Sequence, residues 1–350
     1  MKKTIVINSF ANGFTGYGRI IQEIILGLLQ RDYKVKFRAF AVSEEFETPV
    51  DSKVRKCIVS GPQSEPLELV VYPPRFNLEF PQLCEKKQVL FTMWEADRLP
   101  RKYVDCCNKH VALIVPTKWN REIFIKSGVK VPIYVVPLGI DTNVFKPNLR
   151  RFPEECVFIT AGRVAHGYHR KGINYAMEVF RKAFPEEADA KLRVKCFPDC
   201  DLKPNFDSRI SIVRASISQE SMVEFYQDSV AYLDTTTAEG FGLHQVEANA
   251  CGQIVIGCPF SGKPIFNNND NLAVKYSMQK VTDKETYLAT GRWAKLDEED
   301  LIAKMRYVYE NREKTWLEGQ LVREYALAFS LDNMITGLVD VLVKLNMLDA

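Results

Sequence analysis

Glu239-Gly-Phe-Gly-Leu-His-Gln-Val-Glu247-Ala-Asn-Ala-Cys-Gly252 is the stretch that decides how this chain is read. Two carboxylates stand eight positions apart around a Gly-Phe-Gly turn. The segment before it, Val230-Ala-Tyr-Leu-Asp-Thr235, is apolar and β-leaning, so the order is strand, glycine turn, helix. Such a turn aims backbone N–H groups and the positive end of a helix dipole at the mouth of a parallel sheet, a natural seat for phosphate. Phe241, Gly242 and Leu243 build the turn and open the helix, and are its candidate contacts. Glu239 lies in the turn and Glu247 about a turn into the helix, where a second acid can grip neighbouring hydroxyls. Phosphate beside hydroxyl acceptors suggests a nucleotide-sugar. The plainer reading is a pair of solvated glutamates favoured by the dipole.

A second basic element stands upstream, in Ala161-Gly-Arg163-Val-Ala-His-Gly-Tyr-His-Arg-Lys171-Gly172. It follows a strand and leads into a helical stretch at residues 173–184. Arg163 and Lys171 at a strand-to-helix turn suit a pyrophosphate, because Arg forks onto oxygens and Lys adds a point charge. Arg170 competes for the Lys171 role, and an exposed basic turn is the bland alternative. Gly13-Phe-Thr-Gly16-Tyr-Gly18 follows the first strand. Its glycines let backbone approach a ligand closely, although a plain tight turn fits as well.

Together the E-G-F-G-L…E-A-x-A-C-G and G-R…K-G strings resemble the retaining nucleotide-sugar glycosyltransferases of the GT-B fold, in the large family-four group with its E-x7-E signature. The resemblance covers almost the whole chain, strongly over 155–258 and loosely over 1–110. It implies that Glu239 sits beside the donor sugar, that Glu247 binds the ribose, and that Arg163 and Lys171 bind the donor diphosphate and help its departure. It also implies that the loop carrying Gly16 and Gly18 closes over the diphosphate and shapes the acceptor site. Many relatives place a His after the fourth strand, where this chain has Phe91-Thr-Met-Trp-Glu95-Ala-Asp97. None of the four histidines stands there, so Glu95 or Asp97 takes that role or is an ordinary capping or ion-paired acid. Retaining chemistry of this group is described as front-face attack, with the leaving phosphate taking the acceptor proton and no enzymic nucleophile.

The rest of the chain agrees with two α/β domains. Short β-like runs alternate with amphipathic helical stretches, which indicates parallel βαβ units and two Rossmann-like, doubly wound domains facing across a cleft. Length allows two domains of ~100–200 residues. The turn-rich Phe145–Pro153 is the best linker. The expected division is 1–148 on the acceptor side, 154–328 for the nucleotide-sugar, and a C-terminal helix, 329–350, crossing back to the first domain.

Net charge is +3 over 350 residues, but residues 1–150 hold 23 Lys/Arg against 15 Asp/Glu, and residues 151–350 hold 24 against 29. Arg98–Lys130 concentrates the basicity, with Tyr103 and Trp119 interleaved. Such a field draws an anionic acceptor: a phospholipid or lipid-linked sugar first, a nucleic acid with bases stacked on Tyr103 and Trp119 second. A solvated lysine-rich surface is the competing reading. No apolar run approaches the ~20 residues of a membrane span, and nine scattered cysteines favour reduced thiols in a cytoplasmic compartment, with peripheral contact at a membrane surface open. Cofactors and metal are expected to be none, and the donor a UDP- or GDP-sugar first. Rival readings are a sugar-nucleotide epimerase or phosphorylase of the same fold, and a non-catalytic nucleotide-sugar or polyanion-binding protein. The sequence sets neither base, sugar, acceptor nor oligomeric state.

Overall fold

The computed structural model describes residues 3–10, 16–40, 50–60, 67–74, 88–147, 155–163, 169–263 and 272–349. The chain forms two compact units: Met1–Gly139 with Thr286–Gly291 and Ser330–Ala350, and Ile140–Glu285 with Arg292–Phe329.

In the first unit six strands form one parallel sheet, β1 (Thr4–Phe10), β2 (Lys34–Phe40), β3 (Glu68–Val71), β4 (Gln88–Phe91), β5 (Ala112–Val115) and β6 (Ile133–Val135). Their order is β2-β1-β3-β4-β5-β6. The central strands β3, β4 and β5 are buried along their whole length, as expected where helices cover both faces of a parallel sheet. The described helices here are α1 (Gly16–Gln30), α2 (Ser52–Lys56), α3 (Arg101–Cys107) and α4 (Lys118–Ser127). In α1 one face is buried, with Ile20, Ile21, Ile24, Ile25 and Leu28 inward.

The second unit repeats the plan. Strands β7 (Cys156–Ala161), β8 (Ala190–Cys196), β9 (Ile210–Arg214), β10 (Ala231–Asp234) and β11 (Ile254–Gly257) make a parallel sheet ordered β11-β10-β7-β8-β9. Helices α5 (Ile173–Ala183), α6 (Gln219–Gln227), α7 (Leu243–Ala250), α8 (Glu298–Glu310) and α9 (Arg312–Leu327) accompany it. Chain order runs outward from β7 in both directions, so the topological switch lies between β7 and β10. Ligands of doubly wound sheets gather outside the strand C-termini at that point.

An antiparallel hairpin, β12 (Tyr276–Lys280) with β13 (Arg292–Leu296), is absent from the sequence reading. Its tip, Thr286–Gly291, belongs to the first unit. The last helix, α10 (Leu331–Lys344), also returns to the first unit. It packs on α1 at Gly27, where an added Cβ would lie 2.5 Å from Ile335 Cγ1. Ion pairs of Lys3 with Asp349 and of Arg31 with Asp332 hold the same tie. Among the described residues no helix is long and apolar enough to cross a membrane.

Candidate functional site

The second unit brings a cluster of largely buried charged side chains together at the β7/β10 switch. Beyond β10, Thr235 Oγ1 donates to the Gly172 carbonyl at 2.9 Å. Gly172 takes φ +63°, and an added Cβ would sit 2.3 Å from the Thr235 carbonyl oxygen. Only glycine fits both the left-handed backbone and that close approach. The joint pins Arg170 and Lys171, from the loop after β7, against the loop that follows β10. There Lys171 Nζ meets Glu239 Oε1 at 2.5 Å and the Arg170 guanidinium meets Glu239 Oε2 at 3.2 Å. Arg170 also donates to the Ala238 carbonyl. Burial alone would raise the Glu239 carboxyl, but Lys171, Arg170 and Lys263 outweigh it and hold the group down at about 2.

A third loop, after β11, fixes the backbone of this acid. Glu239 N donates to Ser261 Oγ at 2.8 Å, and Gly262 N donates to the Glu239 carbonyl at 2.9 Å. Ser261 holds φ +79°, an uncommon conformation for a residue with a Cβ. Beneath the turn lies a buried ion pair: Lys263 Nζ to Asp234 Oδ2 at 2.9 Å, both side chains almost fully enclosed. Asp234 also accepts from Thr236 N and Oγ1 and from Gln245, while Lys263 donates to the Thr236 carbonyl at 2.7 Å. Burial presses the Lys263 ammonium toward neutrality, yet Asp234 outweighs that and keeps it above the ordinary lysine value.

Helix α7 opens at Gly242, φ +92°, with no side-chain cap and no acid in its first turn. Its N-terminal N–H groups and dipole therefore have no carboxylate of their own helix to satisfy them. Gly242, Leu243 and His244 are half-buried, and Phe241 is turned inward, packed edge-on against Phe329 with ring centroids 5.6 Å apart. Phe241 is a packing residue that shapes the turn.

Glu247 faces the interior. Its side chain is 1% exposed, against 35% for His244. Tyr226 donates to Glu247 Oε2 at 2.7 Å, and His244 Nδ1 lies 3.2 Å from the same oxygen. Burial first, and the Glu247 charge second, push the Tyr226 phenol well above its ordinary range, so it keeps its proton.

Arg163 is placed differently from Lys171. Its exposed guanidinium pairs with Asp199 at 2.5 Å and lies over the Phe197 ring at 5.7 Å. Arg170, considered from sequence as a competitor of Lys171, instead joins it on Glu239. His166 and the rest of 164–168 lie outside the described residues, as do Gly13 and most of the proposed linker. Gly16 opens α1 with nothing within 4 Å of an added Cβ, and Gly18 is buried in that helix.

In the first unit Glu95, Asp97 and Tyr103 surround the segment Thr286–Gly291. Tyr287 OH donates to Glu95 Oε2 at 2.9 Å, and an added Cβ on Gly291 would lie 3.1 Å from Asp97 Oδ1. Tyr103 donates to the Thr286 carbonyl at 2.8 Å, with its ring edge on Trp94. At 2% exposure, Tyr103 offers no face for a base to stack on, which corrects that part of the sequence reading. The apolar ring is worth more inside the packed cluster with Trp94 than in water. Trp119 is half-buried near the start of α4. Lys263, Asp234, Ser261 and Tyr226 were missed from sequence. Only the place of 234 and 263, after apolar strands, could have signalled the first two.

The pH dependence follows from Glu239. Its folded value, about 2, is below the ordinary 4.5. Its stabilising contribution is therefore complete above about pH 4.5 and lost as pH falls toward 2. With the side chain 13% exposed, that contribution is roughly 3 kcal/mol. The gap in thermal stability between wild type and Glu239→Gln should be widest near neutrality and close on acidification. A gap that does not change between pH 7 and 3 would contradict the assignment.

The fold aligns with solved structures, two of them over almost the whole chain. Sucrose-phosphate synthase from Thermosynechococcus elongatus aligns with TM-score 0.72 and 13% identity, over 98% of this chain and 99% of that one. The chain has the GT-B fold. The α,α-trehalose 6-phosphate synthase of Burkholderia multivorans aligns with TM-score 0.65 and 10% identity, over 98% and 99%. The pneumococcal O-GlcNAc transferase GtfA, in complex with UDP and GlcNAc, aligns at TM-score 0.53 and 17% identity over 80% and 57%. No protein-family model matches the chain. In sequence, 72 residues are 31% identical to a protein of Sulfolobus islandicus filamentous virus (isolate Iceland/Hveragerdi) provisionally named glycosyltransferase 45. That match spans about a fifth of the length of the relative, and 20% of this chain.

Proposed function

We propose that the protein is a retaining, metal-independent glycosyltransferase that moves a sugar from a nucleoside-diphosphate sugar to an acceptor hydroxyl. The observation that carries this reading is the cluster of Lys171, Arg170 and Glu239 at the β7/β10 switch, beside the uncapped start of α7. Fixed cations and helix N–H groups provide the charge stabilisation that a departing diphosphate needs, in the place where other phosphoryl sites recruit a cation. Arg163 joins them once its guanidinium leaves Asp199. Glu239, ionised throughout the neutral range, has no proton to give. It serves as an acceptor for sugar hydroxyls when the diphosphate takes over Lys171 and Arg170. Such a role agrees with front-face transfer, in which the leaving phosphate receives the acceptor proton.

The GtfA structure contains UDP, which supports a nucleotide donor, with a UDP- or GDP-sugar tried first. For the acceptor we propose an anionic molecule. The supports are the basic first half of the chain and the phosphate in the names of two neighbours, sucrose-phosphate synthase and trehalose 6-phosphate synthase. A lipid-linked or phospholipid acceptor at a membrane surface is ahead of a nucleic acid, since burial of Tyr103 removes one stacking ring. Gly16 is proposed on the donor side, and Gly18, Glu95, Asp97 and Trp119 for the acceptor and sugar side.

Purified protein should release nucleoside diphosphate from one member of a nucleotide-sugar panel, and release should persist in EDTA. Activity abolished by EDTA and restored by Mn²⁺ would refute metal independence. No turnover of any donor, together with tight nucleotide binding, would favour a non-catalytic binding protein.

A further inference from the structure

Helix α9, Arg312–Leu327, is buried along one side only. Thr315, Gly319, Val322 and Ala326 face inward, and the fit there is tight: an added Cβ on Gly319 would lie 2.1 Å from the Gly252 carbonyl oxygen. Arg323 anchors the same side, donating to the carbonyls of Ala250 at 2.7 Å and Phe145 at 2.9 Å. The opposite side is open, yet it is not polar. Leu317 is 53% exposed, Leu321 67% and Tyr325 47%. A single exposed leucine is ordinary. These stand in a repeat: Lys314, Leu317, Leu321, Glu324 and Ala328 follow one another at steps of three and four, the spacing of a two-helix coiled-coil seam.

The charges along that seam say what covers it. Lys314 and Glu324 each lie five positions from Gly319, and Leu317 and Leu321 each lie two from it. A second α9, laid antiparallel about a two-fold axis at the level of Gly319, sets Leu317 against Leu321 of the other copy. It also sets Lys314 against Glu324 of the other copy, and symmetry makes each contact twice. Two leucine layers are then enclosed between two layers of opposite charge. A parallel pairing would bring Lys314 onto Lys314 and Glu324 onto Glu324. An antiparallel pairing slipped to an axis at Leu321 would bring Glu318 alongside Glu324 and leave Lys314 facing Ala328. Of the three arrangements, the one about Gly319 alone joins opposite charges and apolar surface together. Lys314 is already steadied for it, donating to the Tyr307 hydroxyl at 3.0 Å.

We propose that a second copy of this chain docks on the outer face of α9, as an isologous antiparallel helix pair with Leu317 and Leu321 at its centre and Lys314–Glu324 pairs at its ends. So short a seam gives a weak dimer that depends on concentration. The inference is independent of the function proposed above.

The test is sedimentation equilibrium of the full chain over a concentration series at low salt. Wild type should show a reversible monomer–dimer equilibrium. Leu321→Asp, which puts a charge into both central layers, should leave a monomer. Lys314→Glu and Glu324→Lys should each weaken association by about tenfold, because both end layers then carry like charges. An equimolar mixture of these two variants should dimerise again, since in the mixed pair both end layers join opposite charges. That rescue guards against a folding defect, as does a thermal melt of each variant. Wild type that stays monomeric at the highest concentration reached overturns the proposal and leaves the stripe to an unlike partner. So does a dimer that survives Leu321→Asp, because the contact would then lie elsewhere. A mixture that associates no better than either charge variant alone overturns it as well.

Discussion

Lys171→Ala should lower turnover by about 10²–10³, the usual cost of removing one preorganised group that stabilises a developing oxyanion. The ammonium is held 2.5 Å from Glu239 by the Gly172–Thr235 joint, so its position is set before donor arrives. Arg170→Ala should cost a similar factor, since its guanidinium shares the same carboxylate. Both losses should appear in the rate of the bound complex more than in donor affinity, because the charge to be met grows as the bond to the diphosphate breaks. Arg163 gives a contrast. Arg163→Ala should reduce turnover by a large factor, whereas Asp199→Ala, which only frees the guanidinium, should leave it near wild type. Steady-state kinetics on the four variants checks the scheme. Wild-type turnover in Lys171→Ala would remove the site's central cation from the mechanism.

The largest expected effect on stability is at Asp234 and Lys263. Removing one partner strands a charge in the interior, so Asp234→Ala or Lys263→Ala should each cost about 3–5 kcal/mol. Replacing both with apolar residues of similar volume should cost far less, since the stranded charge is gone. Urea unfolding of the two single variants and of Asp234→Leu with Lys263→Met measures this directly. Singles close to wild type would mean that water reaches the pair. The double variant should still lose activity, because Thr236, Gln245 and the Glu239 turn take their positions from these two charges.

The layout of the fold was legible because its cause is local. The steps of Ile20/Ile21, Ile24/Ile25 and Leu28 state which face of α1 is buried, and runs such as Glu68–Val71 state which strands are covered on both sides. The glycine turn before α7 was equally plain, since Gly242 takes a backbone that other residues avoid. The hairpin β12–β13 was not legible. Its first strand, Tyr276–Lys280, is largely exposed, and two alternating residues, Tyr276 and Met278, are too short a pattern to mark it.

What the sequence determined by itself is therefore the two parallel sheets, the glycine turn, and the presence of Glu239, Arg163, Lys171 and Glu247 near a helix start. Periodicity and glycine placement are properties of neighbouring residues, and the chain states them directly. What only the tertiary structure decided is which charges meet. Arg170 reaches Glu239 across 69 positions of sequence while Arg163 turns to Asp199, Lys263 comes from a third loop to Asp234, and Tyr226 closes over Glu247. The Arg170 and Lys263 pairings depend on the order β11-β10-β7, which sets three loops side by side at the strand ends. A charge finds its partner through space, and the linear spacing of residues carries no record of it.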